Sequence, residues 1–182
     1  MNNKSNRTLS QEDIKNLIAA CDNHLKPIII LALNTGMRIS GILRLEWNQV
    51  NLDRGFISLP SMRWKHTIPL TETAKELLLG LTRNPDIPFV FYNPRTGKPF
   101  HDVRQSFHSA CMKAKLSNVS FHDLRRTFIY CLYIAGDCNL TALEVFGFRS
   151  RSAVERISDI SSDIKAKVMA AFDKRMNAEM TA

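Results

Sequence analysis

Two short stretches of this chain carry side chains suited to phosphate chemistry. Arg38 lies in NTGMRISGILRLEW, and His122 and Arg125 lie three residues apart in FHDLRRTF. A guanidinium stays charged at physiological pH, and its planar fork matches the geometry of phosphate oxygens. An imidazole nearby adds a hydrogen bond or a proton-transfer group. Taken singly, each has a plainer reading: Arg38 suits a solvated helix start, and His122 a capping or core position. What the three can do together depends on the elements that carry them.

Residues 1–9 read as a polar tail. Ser10 then caps a helix, with Asp13 at its third position and Ile14, Leu17, Ile18 and Cys21 on one face. Pro27 suits the first turn of a second helix, whose apolar body from Ile28 to Leu33 is expected to be buried. Gly36 ends that run, and Arg38 opens a third helix through Leu43 and Leu45. Gly55 to Leu59 and Lys65 to Leu70 read as two short strands around a turn. Thr71 or Thr73 caps the helix that holds Ala74, Leu77, Leu78 and Leu79. Phe89, Val90 and Phe91 form another extended piece before the turn-rich NPRTGKP.

From His101 the pattern is helical almost to the end, with breaks near 117–120, 136–139, Gly147 and 161–162. Tyr130 and Tyr133, following the FHDLRRTF stretch on an apolar helix, read as core. No internal repeat or linker divides the chain. Residues 10–182 are therefore expected to form one mainly α (α+β) domain, helical with a small antiparallel sheet.

Lys and Arg number 25 against 17 Asp and Glu, a net charge of +8. That balance favours a polyanionic partner, because each phosphate neutralised releases a condensed counterion; the plainer alternative is solubility. Cys21, Cys111, Cys131 and Cys138 show no metal-ligand spacing and no disulfide framework. Buried, reduced thiols in a cytoplasmic protein are expected, with no metal and no cofactor. No apolar run reaches a membrane span, and MNNKSNRTLS lacks the core of a signal peptide.

From about Thr8 to Asn177 the chain resembles the catalytic domain of tyrosine recombinases, the phage integrase family. The resemblance rests on the TGMR box, a hairpin ending in IPL, the HDLRR box, a degraded glycine box and the ERISDIS segment, in that order. TGMR alone would be weak evidence and HDLRR moderate; their order and spacing are specific. The resemblance implies the recombinase catalytic-domain fold and duplex DNA as partner. It implies that Arg38 and Arg125 hold the non-bridging oxygens of the scissile phosphate, with His122 beside them. In such enzymes a tyrosine attacks that phosphate, and the preorganised charge matters most in the transition state. Arg126, Arg149 and Lys65 are further candidates for contact with backbone phosphate.

The same resemblance exposes departures. The acidic residue usual three positions after the first arginine is Gly41 here. Such a group orients its neighbours, so its loss loosens Arg38. The position of the hairpin lysine, counted back from Pro69, falls on Ser61; Lys65 would replace it only if the turn were shortened. Phe148 stands where the family has its second histidine or a tryptophan. Nine residues on, the place of the nucleophilic tyrosine is taken by Ile157, which has no lone pair to donate. Ser158 is adjacent but on a helix points about 100° away.

Three functions follow as expectations. The first is a DNA-binding pseudoenzyme of the recombinase family that recognises a phosphate without breaking the strand. The second is an active integrase with an atypical nucleophile. The third is an interaction subunit that meets itself or another recombinase protomer through the helix from Ile164 to Met176, with Val168, Ala171 and Phe172 on one side. The N-terminal core-binding domain of such recombinases has no counterpart here, which implies modest, poorly selective DNA binding. The expected location is the cytoplasm, with the nucleoid if the host is bacterial.

Overall fold

The computed structural model describes residues 8–59 and 66–134. Lys65, Ser61, Phe148, Arg149, Ile157, Cys138 and the 164–176 helix lie outside that set. Its first helix, α1 (Gln11–Ala20), begins as the sequence predicts. The Asp13 N–H donates to Ser10 Oγ at 3.1 Å and the Ser10 N–H donates to the Asp13 carboxylate at 3.1 Å, a reciprocal cap. Ile14 and Leu17 are buried, whereas Ile18 and Cys21 are only partly so. Leu9, assigned to the tail from sequence, is buried, and its N–H donates to Thr127 Oγ1 at 2.9 Å.

Helix α2 (Lys26–Thr35) has Pro27 in its first turn and is enclosed by α1 and the helices that follow. Ile28, Ile29, Leu31 and Leu33 face different directions and all are buried, as befits a helix apolar on every side. Its end is tied to the start of α4 (Glu72–Leu79). Thr71, the cap of α4, accepts the Ala74 N–H at 2.9 Å and donates its hydroxyl to Asn34 Oδ1 at 3.0 Å; the Asn34 amide in turn donates to Ile30 O. Thr73 is therefore not the cap. The short α3 (Ile39–Leu43) lies between them in sequence, with Arg38 at its N-cap and Leu45 buried just past its end.

The sheet has three antiparallel strands in the order β1 (Val50–Asn51), β2 (Phe56–Leu59), β3 (His66–Pro69). Ile57 pairs with Ile68, and both point into the core. Strand β1 was not legible from sequence; two residues are too few to alternate. Phe89 makes only an isolated bridge to Glu46, reinforced by Trp47 N–H to Pro88 O (2.9 Å) and Val90 N–H to Leu45 O (2.8 Å). Arg83 covers the Trp47 ring at 4.0 Å.

Helices α5 (Arg104–Lys113) and α6 (Phe121–Ile134) complete the described part. Phe107 of α5 and Phe121 of α6 stack at 4.2 Å, fixing where α6 begins. Leu124 and Phe128 drive α6 into the core against α2. Tyr130 is the exception to the sequence reading: it is 49% exposed, on the stripe of α6 that carries His122 and Arg126. The Tyr133 side chain lies outside the described set. Cys111 is buried, and Cys21 and Cys131 are half-buried. Desolvation raises Cys21 and Cys111 to about 11 each, so both stay protonated at neutral pH.

Candidate phosphate site

The TGMR box owes its shape to the end of α2. Thr35 Oγ1 donates to Leu31 O at 2.6 Å and accepts the Met37 N–H at 3.3 Å. Between them Gly36 turns left-handed (φ 60°, ψ 14°), and its N–H closes on Ala32 O at 3.0 Å. Met37 then drops into the core, so the next side chain, Arg38, must point outward. Arg38 is exposed, in extended backbone, with its C=O accepting the Gly41 and Ile42 N–H groups that start α3.

The HDLRR box forms the first turns of α6. His122 and Arg125, three apart, share a face of the helix; His122 is exposed and Arg125 half-buried. The link between the boxes is direct. Arg125 Nη1 donates to Gly36 O, two residues before Arg38. That bond uses a donor of the guanidinium to aim it. Burial, and then the charge of Arg38, lower Arg125 from its ordinary value to about 10. The shift places the two cations within each other's field.

Arg125 remains a cation at neutral pH, held at a cost. A folded-state value below the unfolded one means that the charge disfavours folding at neutral pH, and the penalty fades only as pH rises through about 10. An anion landing between the two arginines would offset it. Sulfate in place of chloride, at constant ionic strength, is thus expected to raise the melting temperature. The rise should be about 3 °C greater than in an Arg38→Ala/Arg125→Ala variant, which controls for general salt effects. Calorimetry giving equal rises in both proteins would remove the oxyanion from the site.

Of the other predicted residues, Arg126 donates to Asp123 Oδ1 at 3.1 Å, with its side chain 39% exposed. Gly41 sits in α3 with room to spare. A Cβ there would meet only Met37 Cε, at 3.6 Å, so crowding does not dictate the glycine. Sequence reasoning passed over Asp123, which is completely buried at the head of α6. Its signal was present: Ser120, two residues and then an acid, ahead of an apolar helix, is the pattern of a helix start. Among the described residues no His, Cys, Asp or Glu cluster could hold a metal, and no helix is long and apolar enough to cross a membrane.

The sequence model of the phage integrase family matches residues 7–158. The integrase of Salmonella phage P22 is 29% identical over 174 residues, covering 87% of this chain and 45% of the phage protein. The chain thus spans less than half the length of that relative. The integrase from mycobacterium phage Brujita has a similar fold, with a TM-score of 0.73 at 21% identity over 98% of this chain and 64% of that one. The catalytic domain of bacteriophage HP1 integrase gives a TM-score of 0.57 at 22% identity, over 96% and 93% of the two chains.

Proposed function

Because the chain belongs to the phage integrase family, we propose that it binds duplex DNA by holding a backbone phosphate between Arg38 and Arg125, with His122 beside them, and that it leaves the strand uncut. The fold is that of the recombinase catalytic domain, helical with a small antiparallel sheet. The observation that carries the binding reading is the Arg125–Gly36 bond, which sets one guanidinium against the loop that presents the other. The net charge of +8 supplies the long-range attraction. Such a partner would be met in the cytoplasm, at the nucleoid in a bacterium.

The second half of the proposal rests on the residue types at the family's remaining positions, Gly41, Ser61, Phe148 and above all Ile157. Tyr130, half exposed on α6, is poorly placed to substitute. It lies five residues beyond Arg125 on the same helix, about 7.5 Å further along the axis and turned about 140° around it. That offset points it away from the side of α6 on which Arg125 projects, which supports the non-cleaving reading.

A salt titration of duplex binding tests the phosphate site. The Arg38→Ala/Arg125→Ala variant is expected to bind more weakly throughout, with the slope of log K against log salt reduced by about 1, as for one lost phosphate contact. Superimposable titrations would show that DNA is held elsewhere.

A further inference from the structure

We infer that Asp123 is a positioning residue for the phosphate site, locking the first turn of α6 so that His122 and Arg125 stay aimed. The inference rests on the reading that Arg38 and Arg125 hold a phosphate.

A carboxylate beside an anion site repels what the site binds, and burying it completely is costly unless its lone pairs are used. Asp123 is 0% exposed, and both its oxygens are engaged. Oδ2 accepts the Ser120 N–H at 2.9 Å and the Ser120 hydroxyl at 2.6 Å, while Oδ1 accepts Arg126 at 3.1 Å. Its backbone joins the same arrangement. The Asp123 C=O accepts the Thr127 hydroxyl at 2.7 Å, and Thr127 Oγ1 accepts the Leu9 N–H at 2.9 Å. One residue thus ties the start of α6 to its second turn and to the segment leading into α1.

The location explains the need. Backbone N–H groups in a first helical turn lack partners within the helix, and this turn would otherwise fray. His122 is the second residue of α6 and Arg125 the fifth. Fraying would carry both away from Arg38, and phosphate clamps lose strength steeply with misplacement.

Asp123→Asn separates positioning from electrostatics, because the two predict opposite signs. The substitution makes the chain more positive by one charge, so electrostatics alone predicts tighter DNA binding. Positioning predicts duplex binding about ten-fold weaker, as for loss of a group that orients a ligand, a shallower salt slope, and loss of the sulfate-specific rise in melting temperature. In an Arg38→Ala/Arg125→Ala background the same change should weaken nothing further. Binding by Asp123→Asn equal to or tighter than the parent would overturn the inference. Ser120→Ala, which keeps the charge and removes one hydrogen bond, should weaken binding about three-fold. It carries the test if Asp123→Asn does not fold, and unchanged binding by it then overturns the inference. If Arg38→Ala/Arg125→Ala binds like the parent, the phosphate-site reading fails and this one with it. If that variant is impaired while Asp123→Asn is not, only this one fails.

Discussion

Gly36→Ala is expected to lower the unfolding free energy by about 3 kcal/mol in urea titrations, and to weaken DNA binding in the surviving folded protein. Two costs add at this position. The left-handed conformation at φ 60° charges any L side chain about 1–2 kcal/mol. The space is also taken: a Cβ at residue 36 would run into the edge of the Phe128 ring, with Cε1 at 2.9 Å and Cγ at 3.2 Å. Phe128 is 1% exposed and cannot swing away without displacing its neighbours, an overpacking cost of about 1–3 kcal/mol. Separating α2 from α6 there would also draw Gly36 O away from Arg125, which couples the stability loss to the site. Combining Gly36→Ala with Phe128→Leu should cost less than the sum of the single changes, because the smaller side chain relieves the clash. Strict additivity in that cycle would mean that the glycine is required for its backbone angle alone.

That contact shows where sequence reading stops. Local features were legible because their partners are local: Ser10 with Asp13, Pro27 at the start of α2, Gly36 at its end, and the hairpin of Ile57 and Ile68. Arg38, His122 and Arg125 stand out in the sequence by residue type and motif. The approach of Arg125 to the loop that carries Arg38 is not legible there, since it depends on a glycine and a phenylalanine in different boxes fitting ring to backbone, and on a bond spanning 89 residues. Leu9 was misread for the same reason, as its partner Thr127 lies 118 residues away. Tyr130 was misread for a different one. An apolar run suggests burial all round, whereas His122, Arg126 and Tyr130 recur every four residues and mark a solvent stripe. Asp123 lies inside a recognised motif, between the histidine and the arginines that carry the motif's chemistry.

The parent chain is expected to form no covalent adduct with DNA. The substrate would be duplexes selected by the chain's own binding and then nicked to trap a cleaved strand, with denaturing gels scoring protein attached to labelled DNA. A recombinase that bears the tyrosine, given its own nicked site, provides the positive control. The expectation rests on the proposed reading: isoleucine at 157 offers no lone pair, and a phosphate held by two guanidiniums would not break without an attacking atom. Loss of one member of a catalytic unit commonly removes several orders of magnitude, and the losses of members that act together do not add. Ile157→Tyr alone should therefore restore at most a trace of adduct, since Gly41, Ser61 and Phe148 still depart from the family pattern. Adding Gly41→Asp, which the space at α3 accommodates, should raise that trace by giving Arg38 a carboxylate to lean on. An adduct from the parent chain, traced by peptide mass to any residue, would reject the non-cleaving reading and identify the nucleophile. A full-rate adduct from Ile157→Tyr alone would show instead that the remaining positions never lost their function, and that one side chain separates this protein from an active recombinase.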